Sequence, residues 1–252
     1  MKIIGLIPAR YGSSRFPGKP LVDMLGKTMI QRVYEQCLKA SSLHTVVVAT
    51  DDERIAEAVR IFGGMVCLTR ADHASGTDRC MDALAQQKEH FDFVINIQGD
   101  EPFVDPGQID LLAKALTPDT ELATLIQRIT TLEQLQSPGE AKVVLNTKSE
   151  AIYFSRSPIP FVQKIPVSDW LQHATFYRHM GLYAYRRDVL GKITQLPQSA
   201  LEKAESLEQL RWIENGFRIQ TVETDAEDAI CIDTPDDLQR ALDFLRTRGE
   251  SK

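Results

Sequence analysis

Hydrophobic residues in the first half of the chain form short continuous runs that alternate with stretches of helical spacing. Residues 3–8, IIGLIP, are an apolar run closed by Pro8, which is typical of a strand buried on both faces. Residues 28–40 instead repeat apolar side chains at helical spacing behind Thr28, a suitable N-cap. The same criteria predict further strands at 45–50, 65–69, 91–98 and 122–129, and further helices at 51–64, 77–88 and 107–116. This alternation predicts an α/β fold with a doubly wound, mostly parallel sheet.

The second half of the chain has a different pattern. Residues 142–146 and 151–155 predict a hairpin, and an irregular proline-rich stretch follows them. The remaining predicted elements are a long aromatic strand at 176–187, a helix at 206–216, a strand at 218–223 and a helix at 235–247 that starts at Pro235. Because no repeat or linker interrupts the pattern, we predict a single domain over residues 1–252 with a β-rich excursion at about 140–205.

Composition and charge narrow the function classes. The 252 residues include 29 lysines and arginines against 35 aspartates and glutamates, so the formal net charge is −6. A chain this acidic is a poor partner for the phosphate backbone of nucleic acids. No apolar run approaches the roughly 20 residues that cross a bilayer, and the N-terminal apolar stretch is too short for a signal peptide. We therefore expect neither a nucleic-acid nor a membrane partner. Four widely spaced cysteines are expected to be reduced thiols in a cytoplasmic protein.

Positive charge is concentrated in one loop after the first strand. Residues 9–20, ARYGSSRFPGKP, contain Arg10, Arg15 and Lys19 and no acid, and we call them the basic loop. Their glycines and serines let backbone N–H groups approach an anion, and their cations can donate charge-assisted hydrogen bonds to phosphates. The spacing fits neither a Walker A loop nor a G-x-G-x-x-G dinucleotide loop. Three cations without an acid favour anion binding over an ordinary surface loop.

Two carboxylates are candidates for holding a hard cation. Asp100 follows the strand predicted at 91–98, in NIQGDEP, and Asp233 is predicted to leave an apolar strand, in IDTPDD. Ligands of open parallel sheets bind beyond the carboxyl ends of the strands, and carboxylate oxygens suit Mg²⁺. Each signal also has a simpler interpretation, because Gly-Asp is a common turn and because Asp233 or Thr234 can be the N-cap of the last helix.

Nine segments together resemble, in this order, the bacterial 3-deoxy-manno-octulosonate (Kdo) cytidylyltransferases. They are IPARYGSSRFPGKPL, TDDERI, TRADHASGTDR, NIQGDEP, KVV, YFSRSPIP, HMGLYAYR, LEKAESLEQLRW and IDTPDDL, and they cover nearly the whole chain. The basic loop alone is also similar to that of sialate cytidylyltransferases, whereas YFSRSPIP and LEKAESLEQLR narrow the resemblance to the Kdo family. The resemblance implies a nucleotide-diphospho-sugar transferase fold. It also implies Mg²⁺-dependent transfer of CMP from CTP to the anomeric hydroxyl of Kdo, with release of pyrophosphate, for lipopolysaccharide biosynthesis.

The resemblance implies roles for individual residues. Catalytic roles at the triphosphate and the metal fall on Arg10, Lys19, Asp100 and Asp233, of which Asp100 and Asp233 are the implied Mg²⁺ ligands. Nucleotide-binding roles fall on Arg15, Ser75, Gly76, Thr77 and Gln98. Sugar-binding roles fall on Arg79, Arg156, His179, Tyr183, Glu208 and Gln209. Arg156 suits the Kdo carboxylate, since a guanidinium binds a carboxylate bidentately. For His179 and Tyr183 a packing role remains an alternative.

One departure from the family pattern lies close to an implied metal ligand. Cys231 stands where the family commonly has glycine or another small residue. The 8-amino analogue of Kdo and sialate stay alternative substrates, because few side chains are expected to reach the far end of the sugar. A glycosyltransferase with a similar sheet would carry a D-x-D metal motif, which this sequence lacks. A non-catalytic nucleotide-binding module would be expected to lack Lys19, Asp100 or Asp233, and all three are present.

The excursion predicted at about 140–205 is rich in aromatic residues compared with the 7% of the whole chain. Aromatic side chains are enriched at interface cores, and a β-rich insertion leaves an edge strand that a second copy would cover. We therefore predict a homodimer formed through this excursion, as the resemblance also implies. The alternative is that the aromatic side chains fill the core of a small lobe.

Overall fold

The computed structural model describes residues 1–12, 15–226 and 230–248. The chain divides into two units: unit 1 comprises Met1–Ala113 and Ala226–Lys252, and unit 2 comprises Lys114–Asp225. Residues 13–14 of the basic loop and residues 227–229 of the acidic stretch before IDTPDD lie outside the described residues. The excursion predicted at about 140–205 falls within unit 2.

Unit 1 contains a parallel sheet whose strands match four of the predicted ones. They are β1 (Ile3–Ala9), β2 (Thr45–Thr50), β3 (Val66–Leu68) and β4 (Phe93–Asn96). Their order is β3-β2-β1-β4, and the three neighbouring pairs are parallel. Strand β1 is buried along nearly its whole length, as the continuous apolar run predicted. Because the strands are parallel, their carboxyl ends lie along one edge of the sheet.

Four helices follow these strands, and the first three begin at side-chain caps. They are α1 (Met29–Cys37), α2 (Glu53–Ile61), α3 (Gly76–Ala85) and α4 (Pro106–Lys114). The Thr28 side chain accepts a hydrogen bond from the Gln31 N–H at the start of α1, as the sequence predicted. Asp52 caps α2, and Ser75 forms a reciprocal capping box at the start of α3. These caps place each helix start within two residues of its predicted position.

Unit 2 contains five strands in a mixed arrangement. They are β5 (Leu122–Arg128), β6 (Lys142–Leu145), β7 (Ala151–Ser155), β8 (Tyr177–Arg186) and β9 (Ile219–Glu223). Strand β5 pairs with β8 antiparallel and with β9 parallel. The hairpin predicted at 142–146 and 151–155 is present as β6 and β7, and β6 also pairs with β8. The predicted α/β fold is therefore confirmed, with the parallel strands concentrated in unit 1.

Four short helices of unit 2 were not predicted. Its helices are α5 (Leu132–Gln136), α6 (Trp170–His173), α7 (Arg187–Ile193), α8 (Ala200–Glu205) and α9 (Gln209–Glu214). The helix predicted at 206–216 begins later, because Ser206 has a left-handed φ of 53° that ends α8 and separates it from α9. The last helix, α10 (Pro235–Thr247), belongs to unit 1 and begins at Pro235 as predicted. Among the described residues, no helix is both long enough and apolar enough to cross a bilayer.

Candidate active site

The carboxyl ends of β1 and β4 open onto a cavity of about 320 Å³ in unit 1. Its walls come from the basic loop, the start of α3, the segment after β4 and the turn before α10. The lining includes most residues assigned to catalysis and nucleotide binding, and one assigned to the sugar: Arg10, Arg15, Lys19, Ser75, Gly76, Arg79, Gln98, Asp100 and Asp233. The cavity thus brings together side chains that follow the strands of unit 1 and Asp233, which lies in the turn before α10 and follows no strand, contrary to the prediction.

Lys19 lies between the two carboxylates that the sequence marked as cation ligands. Its Nζ donates to Asp100 Oδ2 at 2.7 Å and to Asp233 Oδ1 at 3.0 Å. A third bond, of 3.1 Å, goes to the Ile232 carbonyl oxygen. Burial opposes the charge of Lys19, but the two carboxylates outweigh burial and raise its pKa above the ordinary value. Arg15 pairs with the other oxygen of Asp233 at 3.0 Å, so the site already concentrates cations around two acids.

Close backbone packing brings Asp100 to this position. A Cβ atom added at Gly99 would lie 2.7 Å from the Pro8 carbonyl oxygen, so the segment after β4 approaches the end of β1 as closely as it does only because residue 99 is glycine. The Ile232 N–H donates to the Asp100 carbonyl oxygen at 2.9 Å, which ties the second acidic segment to the first. Asp100 and Asp233 are therefore held together by backbone contacts as well as by Lys19.

In the turn before α10, one residue caps the helix and another contacts Lys19. Thr234 is the N-cap, and its side chain and that of Asp237 form a capping box. Burial opposes the charge of Asp237, but hydrogen bonds from Arg240 and from the turn lower its pKa to about 2. Of the two N-cap candidates in the sequence, Thr234 has this role, and Asp233 is left to contact Lys19.

The start of α3 presents backbone N–H groups to the cavity. The Ser75 hydroxyl accepts the Asp78 N–H at 3.2 Å and is therefore committed to capping. Gly76, the first helical residue, lies against the Pro8 ring, which a Cβ at residue 76 would approach to 3.3 Å. Thr77 is buried behind it. The partial positive charge of a helix start favours an anionic group at this wall of the cavity.

The Arg79 side chain is held by residues that follow strands β2 and β3. Its guanidinium pairs with Asp51 at 2.9 Å and donates to the Thr69 hydroxyl at 2.6 Å. The side chain is only 6% exposed. Arg79 thus contributes a fixed charge to the cavity wall.

Two residues that anchor the basic loop were missed by the sequence analysis. The Arg54 guanidinium lies over the Tyr11 ring, 3.3 Å from its centroid, and also pairs with both oxygens of Asp52. The Gly18 N–H donates to the Tyr11 carbonyl oxygen at 2.9 Å and closes the loop. The segment TDDERI contains Arg54 and Asp52, but nothing in its spacing pointed to an aromatic partner in the basic loop.

Unit 2 holds the other residues assigned to the sugar, and two of them, His179 and Tyr183, belong to an aromatic cluster that includes Trp212 of α9. The rings of His179 and Tyr183, both on β8, have centroids 5.1 Å apart, and Tyr183 meets Trp212 edge-on at 5.1 Å. Burial lowers the pKa of His179 to about 4, so the imidazole is neutral at physiological pH. Its Nε2 lies 3.2 Å from the Thr124 hydroxyl. Burial likewise raises the pKa of Tyr183 well above the ordinary value, so neither side chain supplies a charge.

Two polar groups of α9 are buried without a hydrogen bond. Gln209 Nε2 and Trp212 Nε1 lack an acceptor among the residues that the structure describes. The two side chains are three residues apart and so share one face of the helix. A buried donor left without an acceptor costs about 1–3 kcal/mol. Glu208, which the resemblance also assigns to the sugar, directly precedes Gln209.

Arg156 braces the turn that precedes α9. Its Nε donates to the Glu205 carbonyl oxygen at 2.8 Å, and its terminal nitrogens donate to the carbonyls of Pro138 and Ser206 at 2.9 and 3.3 Å. The Glu205 carboxylate in turn accepts the Arg156 backbone N–H at 2.9 Å. Three of the five guanidinium N–H groups are thus committed to the backbone, which fixes the plane of the guanidinium.

Comparison with known proteins shows the family to which the chain belongs. The cytidylyltransferase family model matches residues 4–224. The 3-deoxy-manno-octulosonate cytidylyltransferase of Parabacteroides distasonis is 54% identical over 253 residues, covering 98% of this chain and 100% of that protein. The chain belongs to this family. The cytidylyltransferase of the same name from Geobacter sulfurreducens is 46% identical over 257 residues, covering 98% of this chain and 100% of that protein.

Solved structures show which fold this member of the Kdo cytidylyltransferase family has. A CMP:2-keto-3-deoxy-manno-octonic acid synthetase complexed with CTP superposes with a TM-score of 0.91 at 43% identity, covering 98% of this chain and 100% of that one. The 4-diphosphocytidyl-2C-methyl-D-erythritol synthase of Anaerococcus prevotii, at 11% identity and a TM-score of 0.62, covers 97% of this chain and 96% of that one. It shares the fold alone. The predicted nucleotidyltransferase fold is confirmed.

Proposed function

We propose that the protein transfers CMP from CTP to the anomeric hydroxyl of Kdo and releases pyrophosphate, a step of lipopolysaccharide biosynthesis. The observation that carries this proposal is the cluster of Lys19, Asp100 and Asp233 in a cavity lined by the basic loop. A relative that is 43% identical over nearly the whole chain has been solved with CTP bound. We place the reaction in the cytoplasm, in keeping with the four cysteines, which are free thiols.

The donor set of the cavity fits Mg²⁺. Asp100 and Asp233 offer carboxylate oxygens, the ligands a hard cation prefers, and both already face the Lys19 ammonium. When bound, Mg²⁺ would neutralise phosphate charge and acidify a coordinated hydroxyl. Asp100 and Asp233 hold the ion, and Lys19, Arg10 and Arg15 bind the triphosphate and stabilise the charge that develops on the pyrophosphate. Phosphoryl-type transfer needs positioning and charge neutralisation more than a covalent step.

Unit 2 supplies groups for the sugar acid. Gln209 and Trp212 offer two buried donors, which we assign to sugar oxygens. Arg156 is assigned to the Kdo carboxylate, because a guanidinium pairs with it bidentately. His179 and Tyr183 are neutral and form an aromatic wall, so they shape the sugar site without adding charge. Arg79, to which the resemblance also gives a sugar-binding role, is a fixed charge of the cavity in unit 1.

Lys19→Ala and Arg156→Ala are expected to separate the two substrates. Lys19→Ala removes a charged contact to the triphosphate and should raise the KM for CTP about 10- to 100-fold, the equivalent of one charge-assisted hydrogen bond. Arg156→Ala should raise the KM for Kdo on the same scale and keep CTP affinity. Steady-state kinetics and calorimetric titration of CTP measure both effects.

Lys27→Ala is the matched control for this pair. Lys27 is exposed, pairs only with Glu35 among the described side chains and does not line the cavity. It should leave both KM values within about twofold, as for other surface charges. Equal loss of CTP affinity in the Lys19 and Arg156 variants would show that the division of roles is wrong.

A comparison of three sugar substrates tests whether Kdo is the preferred one. Pyrophosphate release is measured with CTP, Mg²⁺ and either Kdo, its 8-amino analogue or sialate, each at the same concentration. The proposal expects the highest kcat/KM with Kdo. A higher kcat/KM with the 8-amino analogue or with sialate would assign the protein to that sugar instead.

We also propose that the protein is a homodimer that associates through unit 2. Most aromatic residues of the 140–205 segment are buried inside unit 2, including Phe154, Trp170 and Phe176, which leaves less aromatic surface than the sequence suggested. Two large apolar side chains remain open: Ile152 is 54% exposed and Phe161 is 74% exposed. We take these two side chains, both in the excursion, as part of the proposed interface.

Sedimentation velocity at a micromolar protein concentration tests whether the protein is a dimer. Wild type is expected to sediment as a dimer, and Ile152→Asp as a monomer, because a buried charge at an interface is strongly unfavourable. Ile61→Asp is the control, since Ile61 is 78% exposed in unit 1 and should leave the dimer intact. A wild-type monomer with full activity would contradict the proposal.

A further inference from the structure

We propose that Thr124 is a positioning residue of the sugar site, because it fixes the tautomer of His179 in which Nδ1 can accept a hydrogen bond from a sugar hydroxyl. Thr124 lies on β5 and is fully buried. Its hydroxyl contacts β8, the strand that carries His179. The identity of the sugar rests on the proposed function, whereas the tautomer is a property of the protein alone.

Strand β8 departs from regular pairing beside Thr124. Thr124 lies opposite Tyr183, whereas the next residue of β5 lies opposite Met180, so the register skips two residues of β8. His179 precedes this bulge and Tyr183 follows it. Bulges re-aim the side chains next to them and are frequent beside active sites. The bulge therefore sets how the two aromatic residues of the sugar site are presented.

The Thr124 hydroxyl has one proton, and the carbonyls of the bulge take it. Oγ1 lies 2.8 Å from the Leu182 carbonyl oxygen and 3.1 Å from that of Met180. Because a carbonyl oxygen can only accept, the hydroxyl must be the donor to this pair. The same Oγ1 lies 3.2 Å from His179 Nε2. Since its proton is already committed, Oγ1 can only accept there, and Nε2 must carry the ring proton.

This assignment leaves the other ring nitrogen of His179 as an acceptor. Burial lowers the pKa of His179 to about 4, so the ring holds a single proton at neutral pH. Nδ1 therefore carries a lone pair, and it makes no hydrogen bond to any residue that the structure describes. The rings of Phe154 and Tyr183 lie 5.2 and 5.1 Å from the imidazole, centroid to centroid, and hold it in place. A neutral acceptor in an aromatic wall suits a hydroxyl of a bound sugar.

NMR measures the protonation of the two ring nitrogens directly in the free protein. Long-range proton–nitrogen spectra of isotope-labelled protein distinguish a nitrogen that carries a proton from one that carries a lone pair. The chain has five histidines, and the His179 signals are those missing from His179→Asn. At neutral pH we expect the proton on Nε2 and the lone pair on Nδ1. The opposite tautomer would overturn the inference.

Thr124→Val tests whether the hydroxyl acts on sugar binding. Valine has a similar size but removes the acceptor of the Nε2 proton. The KM for Kdo should therefore rise about 3- to 10-fold, the range of one net hydrogen bond, and the Kd for CTP should stay unchanged. Thr124→Ser keeps the hydroxyl and should restore the wild-type KM. The Nε2–H signal of His179 should shift in the valine variant and not in the serine variant.

Thr221→Val is the matched control. Thr221 lies opposite Thr124 on the neighbouring strand β9. It is also buried, at 5% exposure, and its hydroxyl donates to the Ser149 carbonyl oxygen at 2.7 Å. The substitution therefore removes an equivalent hydroxyl of the same sheet without touching β8. It should leave both the KM for Kdo and the His179 signals unchanged.

The outcomes separate this inference from the proposed function. An unchanged KM for Kdo in folded Thr124→Val would overturn the inference, and so would an equal rise in Thr221→Val. If Thr124→Val does not fold, the tautomer of wild type still decides the question. Failure of wild type to use Kdo would contradict the proposed function but would leave the tautomer measurement valid.

Discussion

Replacing Asp100 or Asp233 by asparagine is expected to lower turnover at least about 10²-fold, the scale of losing one electrostatic contributor to a transition state. Asparagine keeps the shape of the side chain but removes the charge that holds a hard cation. It also weakens the hold on Lys19, whose Nζ bonds both carboxylates. Steady-state kinetics at several Mg²⁺ concentrations measure the effect, and the half-saturating Mg²⁺ concentration should rise in both variants.

The control for these variants is Asp243→Asn. Asp243 lies on α10, is 60% exposed and pairs with Arg246 far from the cavity lining. Its substitution should leave turnover and Mg²⁺ dependence unchanged. Near-normal activity of Asp100→Asn or Asp233→Asn at limiting Mg²⁺ would remove that residue from the metal site.

Glu202→Gln is expected to lower the free energy of unfolding by about 3–5 kcal/mol, the usual result of removing one partner from a buried ion pair. The Arg211 guanidinium donates to both Glu202 oxygens, at 2.8 and 2.6 Å, and the two side chains are 9% and 8% exposed. Glutamine cannot neutralise the arginine left behind. The pair joins α8 to α9, so its loss also loosens the helix that presents Gln209.

Urea denaturation of wild type and variant gives this difference, as a shift in midpoint at constant slope. Glu53→Gln is the matched control, because Glu53 is 65% exposed and its pair with Arg60 lies on the surface of α2. It should cost less than about 1 kcal/mol. A loss for Glu202→Gln as small as that for Glu53→Gln would show that the buried pair contributes little.

The pH dependence of this difference has a definite sign. Burial opposes the charge of Glu202, but Arg211 and the Ser199 N–H outweigh it and lower its pKa below the ordinary value of 4.5. The carboxylate therefore stabilises the fold fully above pH 4.5, and its contribution is lost as pH falls through the folded-state pKa. The stability gap between wild type and Glu202→Gln should narrow in that acidic range.

The sequence was most informative where a local pattern determines structure. The continuous apolar run of β1 predicted a doubly buried strand. Thr28 marks the start of α1 by a capping hydrogen bond, and Pro235 marks the start of α10 by its ring geometry. Short helices such as α6 escape such analysis, since four residues make barely one turn. The break between α8 and α9 depends on a left-handed Ser206, a conformation that serine seldom adopts.

For the site, the sequence united Asp100 with Asp233 by taking both as strand ends, but residues 230–233 form no strand. The Ile232 N–H, which donates to the Asp100 carbonyl oxygen, brings Asp233 to Asp100 instead. The precise role of each group depended on contacts that no spacing encodes. Thr234, not Asp233, turned out to be the cap of α10. The stacking of Arg54 on Tyr11 and the buried donors of Gln209 and Trp212 depend on tertiary packing, which alone decides whether a polar group finds a partner.

The most direct test of the account is a product balance with purified protein, CTP and Mg²⁺, with and without Kdo. Chromatography and mass spectrometry quantify nucleotide products, and a coupled assay quantifies pyrophosphate. The account predicts CMP-Kdo and pyrophosphate in equal amounts, only when Kdo is present, and with CTP used in preference to ATP, GTP or UTP. Pyrophosphate release that does not depend on Kdo, or no CMP-Kdo from active, folded protein, would contradict it.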